Sequence, residues 1–151
     1  MLKTLYVHRP LVLWCAEDVL RWAKQQGFED IVDPPDMHVT IAFSKKEVEW
    51  DKFTPSLSNI MDDTGDEVRS LTILGESAVV LKFESDILQG RWKTFIEGGC
   101  SFDWDTYQPH VTISYAGTKL DLTKIKPYRW SLVFGPEVFK EVDPKWVMKT
   151  Q

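Results

Sequence analysis

Cysteine and histidine are scarce in this chain of 151 residues, which has two of the first and three of the second. The two cysteines, Cys15 and Cys100, form no Cys-x-x-Cys motif and no cluster with histidine at the spacing of metal ligands. Disulfide-rich domains and structural zinc sites both need such clusters. We therefore expect two buried, reduced thiols, no metal site and no cofactor.

Long apolar segments are also missing. No run approaches the roughly 20 residues that cross a bilayer, and the N-terminal segment lacks the apolar stretch and small-residue cleavage site of a signal peptide. These absences predict an intracellular protein that does not bind membranes. The length suits one domain with its own core and nothing marks a second, so we expect a single domain over residues 1–151.

Positive charge is in deficit, because the net charge is −5. Proteins that bind long nucleic acids rely on many Lys and Arg contacts to phosphates, so this class is disfavoured. A small nucleotide remains compatible, since a pocket needs only a few local donors. Aromatic residues make up 13% of the chain and offer faces that stack on nucleobases, although most of them are expected in the core.

The tripeptide His-Val-Thr occurs twice, at residues 38–40 within Met-His-Val-Thr-Ile-Ala-Phe and at residues 110–112 within Pro-His-Val-Thr-Ile-Ser-Tyr. The β-branched and aromatic residues of both segments favour strands. Because side chains alternate across a strand, His and Thr project to one face while Val and Ile project to the other. Each predicted strand therefore carries a polar pair above an apolar underside.

Duplication gives this pair a functional interpretation. A single His-x-Thr is typical of the solvent-exposed face of an antiparallel sheet. Two copies with matching flanks instead favour one active site, in which one imidazole removes a proton and the other donates one, since histidine titrates near pH ~6.5. The two threonines would then supply stiff hydroxyl donors to a phosphate oxygen.

The remaining pattern predicts an α+β chain with the order strand, helix, strand, a variable insert with a hairpin, helix, strand, strand. A helix precedes each His-Val-Thr strand, so we expect two similar lobes whose sheets pair about an approximate two-fold axis, with the His/Thr faces meeting across a groove. The predicted segments are a strand at Leu5–His8, a helix at Glu17–Gln26 ended by Gly27, an irregular connection at residues 44–66, a hairpin of residues 68–74 and 78–83, a helix opened by a capping box of Asp86 with Gln89, and final strands at residues 129–134 and 138–142 separated by Gly135-Pro136.

The paired motifs resemble those of the two-histidine phosphoesterase superfamily, which includes RNA ligase-like enzymes and cyclic phosphodiesterases. Within it, the whole chain is most similar to the anti-CBASS nucleases of tailed phages. The segments Leu-Tyr-Val-His-Arg-Pro, Met-His-Val-Thr-Ile-Ala-Phe and Phe-Gly-Pro-Glu-Val-Phe carry this likeness. The resemblance implies a bilobal fold in which two antiparallel sheets form a central groove, with helices on the outside.

The resemblance also implies a function. It indicates a metal-independent phosphodiesterase that cleaves cyclic di- and trinucleotide immune signals, such as 3′,3′-cyclic GMP-AMP, in the cytoplasm of an infected bacterium. The family's catalytic residues match His38, Thr40, His110 and Thr112. Its substrate-binding tyrosine, glutamate and tryptophan match Tyr6, Glu141 and Trp146, with Glu137 as a competitor for Glu141.

Two histidines suffice for this chemistry. One deprotonates the 2′-hydroxyl next to the scissile phosphate, the other protonates the leaving 5′-oxygen, and the threonine hydroxyls stabilise the phosphoryl oxygens. The sequence does not say which histidine is the acid, and it predicts a surface position for His8, which follows no motif. Two alternatives stay open: a 2′,3′-cyclic phosphodiesterase or ligase-like enzyme acting on RNA ends, and a non-catalytic protein that sequesters a nucleotide.

Overall fold

Six strands form one antiparallel sheet in the computed structural model, which describes residues 1–144. Two further strands pair in a small second sheet, and two α-helices and four short 3₁₀ helices complete the regular structure of these residues. The α+β class predicted from the sequence is confirmed. The elements are β1 (Leu2–Pro10), α1 (Leu13–Gln26), β2 (His38–Glu49), β3 (Ile60–Asp62), β4 (Ser70–Leu74), β5 (Ala78–Lys82), α2 (Asp86–Glu97), β6 (His110–Ser114), β7 (Leu132–Phe134) and β8 (Val138–Lys140).

The two His-Val-Thr strands are neighbours at the centre of the large sheet. Its strand order is β4-β5-β6-β2-β1-β8, so β8, β1 and β2 form one half and β6, β5 and β4 the other. The halves join through the antiparallel pairing of β2 with β6, where Val39 lies opposite Val111. The predicted lobes therefore join edge to edge through this pairing.

One hydrophobic core lies beneath this sheet. Val39, Ile41, Val111 and Ile113 are completely buried and belong to the same cluster as the apolar residues of α1 and α2. The core therefore holds these four side chains and directs the histidine and threonine of each motif to the opposite face. Both cysteines are buried and free, as the sequence predicted.

The helix ends are set by local chemistry. Gly27 ends α1 as predicted, with φ of 95°, and its N–H donates to carbonyls of the last turn. The capping box predicted for Asp86 with Gln89 is wrong, because Ser85 is the extended residue that precedes α2 and accepts a hydrogen bond from the N–H of Leu88. The side-chain amide of Gln89 instead donates a hydrogen bond to the carbonyl of Tyr107.

Neither helix of the described residues is long and apolar enough to cross a bilayer.

The segments predicted as an irregular connection and as a broken strand contain regular structure that places β7 and β8 in different sheets. Residues 44–49 extend β2, and residues 60–62 form β3, which the sequence did not predict. β7 pairs with β3 in the small sheet, whereas β8 pairs with β1 in the large one. The predicted break at Gly135-Pro136 is thus the point where the chain passes between sheets, and β8 brings Lys140 next to Tyr6 of β1.

Candidate active site

The sheet gathers the four motif residues on one face. Because Val39 and Val111 point into the core opposite one another, the residues on either side of them point the other way. His38 and Thr40 flank Val39 on β2, and His110 and Thr112 flank Val111 on β6. The site is thus built from two His/Thr pairs, one on either side of the Val39–Val111 pairing.

The two motif histidines, His38 and His110, make the same hydrogen bond to the backbone. Nδ1 of His38 lies 2.7 Å from the carbonyl oxygen of Asp36, and Nδ1 of His110 lies 2.9 Å from that of Gln108. A carbonyl only accepts, so in the neutral ring Nδ1 carries the proton and donates it. In this tautomer Nε2 is the ring atom that carries the lone pair and is able to accept a proton.

The surroundings of His38 favour its neutral form. Burial lowers the pKa of His38, and Lys140 lowers it further, against the opposing effects of the carbonyl and carboxylate of Asp36. A neutral imidazole is the form that acts as a general base. The other three motif residues are largely shielded from water, with exposed fractions of 3% for His110, 6% for Thr40 and 7% for Thr112. Hydrogen bonds to a developing charge are stronger in such a place than in open solvent.

A cavity of about 800 Å³ opens beside His38. Its volume lies within the roughly 300–1,000 Å³ typical of small-molecule sites. Among residues 1–144, its lining includes His38 but not His110. The lining also includes Tyr6, His8, three aspartates (Asp30, Asp33 and Asp36), Tyr115 and Lys140.

Tyr6, which the resemblance matched to a substrate-binding tyrosine, lies on β1 next to Thr40. Its hydroxyl is 3.3 Å from Oγ1 of Thr40, and its ring lines the cavity. Burial raises the pKa of Tyr6 to about 12, so the side chain remains a phenol over the range in which enzymes work. An uncharged aromatic ring next to the motif is a suitable surface for a nucleobase.

The structure separates the two glutamates that the sequence left in competition. Glu137 is buried, and its carboxylate accepts hydrogen bonds from Arg91 at 2.7 and 2.8 Å and from the N–H of Ser56 at 2.9 Å. Glu141 is exposed and lines a smaller cavity of about 330 Å³ together with Tyr6 and His38. The placement therefore favours Glu141 as the ligand contact. Trp146 lies outside the described residues.

His8 was missed by the sequence reasoning, and its predicted surface position is wrong. Its ring stacks on Tyr6 with centroids 5.0 Å apart and meets the ring of His38 edge-on at 5.3 Å. Burial, followed by the charges of His38 and Lys140, lowers the pKa of His8 to about 4. The alternation of β1 was the available signal, because residues 6 and 8 share a face.

Within residues 1–144, no group of three His, Cys, Asp or Glu side chains is arranged to hold a metal ion.

Comparison with known proteins gives a consistent family match. The model of the anti-CBASS protein Acb1 family matches residues 3–149. Anti-CBASS protein Acb1 from Sphingomonas paeninsulae is 41% identical over 150 residues, covering 95% of this chain and 24% of that protein. The relative from Caulobacter strain RHG1 is also 41% identical, covering 95% and 23%. The chain thus spans about a quarter of the length of these two relatives.

A shorter relative comes from a phage, and the similar solved structures are phosphoesterases. Anti-CBASS protein Acb1 of Escherichia phage RB16 is 32% identical over 103 residues, covering 68% of this chain and 58% of that protein. A phosphoesterase crystal structure superposes with a TM-score of 0.62 at 16% identity, covering 92% and 87% of the two chains. Escherichia coli LigT complexed with 3′-AMP superposes with a TM-score of 0.57 at 15% identity, covering 95% and 97%. These likenesses show that the chain has the two-histidine phosphoesterase fold.

Proposed function

The chain belongs to the anti-CBASS protein Acb1 family, and from this premise we propose that it is a phosphodiesterase that cleaves the 3′,5′ linkages of cyclic di- and trinucleotides. Its substrates are signals such as 3′,3′-cyclic GMP-AMP, and their destruction in the cytoplasm of an infected bacterium evades CBASS defence. The observation that carries the proposal is the matched pair of histidines, each with Nδ1 on the carbonyl two residues earlier. Paired imidazoles whose Nδ1 atoms are held in the same way suit proton transfer at both ends of one reaction.

The reaction starts with His38 as the base, because His38 lines the cavity and its lowered pKa favours the neutral form that accepts a proton. Nε2 of His38 takes the proton of the ribose 2′-hydroxyl, and the 2′-oxygen forms a bond to phosphorus. The bond from phosphorus to the 5′-oxygen breaks on the opposite side, and His110 gives its proton to that oxygen. The product is a linear nucleotide that ends in a 2′,3′-cyclic phosphate. His38 then releases its extra proton to water and His110 takes one up, which returns both rings to their starting protonation states. The proposed cycle therefore needs no metal ion.

Thr40 and Thr112 stabilise the phosphoryl group during this exchange. Their branched side chains have few rotamers, so each hydroxyl is held in place before the substrate arrives. Thr40 is constrained further by the hydroxyl of Tyr6 at 3.3 Å. Preorganised donors of this kind stabilise the negative charge that develops on the equatorial oxygens.

A small cyclic nucleotide suits this site better than a long RNA. The chain carries a net charge of −5, and three aspartates line the cavity beside His38, so an extended polyanion is repelled. Tyr6 and Glu141 lie next to His38 and are proposed to contact the bases, Tyr6 by stacking and Glu141 by accepting hydrogen bonds from a base edge. Trp146 is proposed as a third base contact.

Incubation with a panel of nucleotides tests the proposal. Cyclic dinucleotides, a cyclic trinucleotide and an RNA that ends in a 2′,3′-cyclic phosphate are incubated with the protein and a chelator, and the products are separated by chromatography. Linear products from the cyclic nucleotides are expected in the presence of the chelator. Recovery of intact rings after prolonged incubation, together with opening of the RNA end, would replace the proposal with the RNA-end activity. Recovery of every substrate unchanged would favour a sequestering protein.

A further inference from the structure

His8 has no role in the proposed reaction, although it lines the same cavity as His38. It stands on β1, where Thr40 of β2 is its neighbour across the strands. Its ring lies between two proposed site residues, parallel to Tyr6 within 19° and edge-on to His38 at an interplanar angle of 74°. A substrate group in contact with His38 is therefore within reach of His8.

The hydrogen bonding of His8 differs from that of the motif histidines. Its Nδ1 atom is buried and has no hydrogen-bond partner among the described residues. A buried N–H without an acceptor is rarer and more costly than a buried lone pair, so the single proton of the neutral ring belongs on Nε2. His8 thus carries the tautomer opposite to that of His38, whose Nδ1 donates to Asp36. The rings of His38 and His8, whose centroids lie 5.3 Å apart, thus carry opposite tautomers.

Charge determines what such a donor is able to bind. The low pKa of His8 keeps it uncharged near pH 7, and Lys140 is close enough to influence the pKa of both His8 and His38. A second positive charge beside His38 would oppose its protonation during the reaction. A neutral N–H donor binds an anionic oxygen without that penalty, and Lys140 makes this end of the cavity the favourable one for an anion.

We propose that His8 is a substrate-binding residue, which donates a hydrogen bond from Nε2 to a non-bridging phosphodiester oxygen of the cyclic nucleotide held against His38. This assignment rests on the proposed function, because it takes the cyclic nucleotide as the ligand. It predicts that His8 stabilises the bound phosphate and takes no part in proton transfer.

Two substitutions separate the donor from the ring. His8→Phe keeps an aromatic ring against Tyr6 and removes the donor, whereas His8→Gln places an amide N–H near the position of Nε2. The measurements are kcat/KM for 3′,3′-cyclic GMP-AMP, the Kd of its 2′-deoxy analogue, which binds without an internal nucleophile, and the temperature of thermal unfolding. A hydrogen bond to a charged group accounts for about 10- to 100-fold in affinity. We expect His8→Phe to weaken analogue binding and kcat/KM by about that factor, and His8→Gln to restore most of the loss.

Each outcome decides the assignment. Wild-type binding by His8→Phe, or equal losses in both variants, would show that His8 only packs and would overturn it. If His8→Phe fails to fold, near-wild-type binding and unfolding temperature in His8→Gln still support the donor. A loss that depends on which bases the dinucleotide carries would overturn the phosphate contact in favour of a base contact. Failure of the wild-type protein to cleave any cyclic nucleotide would overturn the proposed function and this assignment with it, whereas a wild-type-like His8→Phe beside an active wild type overturns this assignment alone.

Discussion

Val39 lies directly opposite Val111 where β2 pairs with β6, and both side chains are completely buried. This contact is the centre of an approximate two-fold relationship between the halves of the sheet. On its other face each half presents a histidine, a threonine and the same Nδ1 hydrogen bond to a carbonyl two residues earlier. The proposed reaction needs both halves, so changes in either one are expected to have comparable effects.

Replacing either motif histidine should abolish most of the activity. His38→Ala and His110→Ala each remove one proton-transfer group, which typically contributes about 10²–10⁴-fold to the rate. The double variant should be far less impaired than the product of the two single effects, because the groups act as a unit. Rates from single-turnover assays, with circular dichroism as the check on folding, measure this. A near-normal rate in either single variant would contradict a shared site.

The threonine hydroxyls should act in the transition state. Thr40→Val and Thr112→Val keep the branched shape and remove the donor, and loss of one such donor costs about 10²–10³-fold in kcat. We expect kcat to fall while KM changes little. Thr94→Val, at an exposed position on α2, is the matched control and should leave both constants unchanged. A fall confined to KM would assign the hydroxyls to ground-state binding instead.

The pH profile should report the lowered pKa of His38. The base works only when unprotonated, and its pKa in the folded protein lies below the usual value of about 6.5. The acid limb of kcat/KM should therefore fall below pH ~6.5, with activity lost as the pH drops through the lowered pKa. A limb centred above this pH would show that His38 is not the base.

Glu137 and Glu141 should have opposite effects although only a few residues separate them. Glu137→Gln replaces the carboxylate that pairs with Arg91 by a neutral amide. Because the Arg91 guanidinium then lacks its negative partner, the free energy of unfolding should fall by about 1–3 kcal/mol. Its kcat/KM should stay near that of the wild type. Glu141→Gln should raise KM for cyclic dinucleotides without a change in stability. Chemical denaturation and initial-rate kinetics on both variants test the pair, and the reverse pattern would exchange their roles.

Removing the hydroxyl of Tyr6 should have a modest effect. Tyr6→Phe keeps the ring that stacks on His8 and loses the contact with Thr40, and a neutral hydrogen bond contributes about 0.5–1.5 kcal/mol, or roughly 2- to 10-fold in rate. Tyr6→Ala also removes the stacking surface and should raise KM substantially more. Equal KM values for the two variants would argue against stacking on a nucleobase.

Local signals explain which parts of the fold were predictable. Alternation identified β2 and β6, and the glycine at position 27 identified the end of α1, where the backbone is left-handed. β3 was not predictable, because it has three residues and exists through its pairing with β7, which lies far along the chain. The edge-to-edge joining of the two halves likewise depends on the distant pairing of Val39 with Val111.

The candidate site shows the same division. The two His-x-Thr pairs were singled out by a repeat and by strand alternation, and Tyr6 by the family resemblance. The choice between Glu137 and Glu141 was not, because it depends on where α2 places Arg91. His8 was overlooked because it belongs to no motif, and its position against Tyr6 and His38 follows from the pairing of β1 with β2.

The most direct test of the proposed mechanism is a rate comparison between 3′,3′-cyclic GMP-AMP and its analogue without 2′-hydroxyls, with binding of both measured in parallel. If the 2′-oxygen is the nucleophile, the analogue binds and is not cleaved, whereas the ribonucleotide is converted to a linear product. Cleavage of the analogue at an undiminished rate would contradict the mechanism.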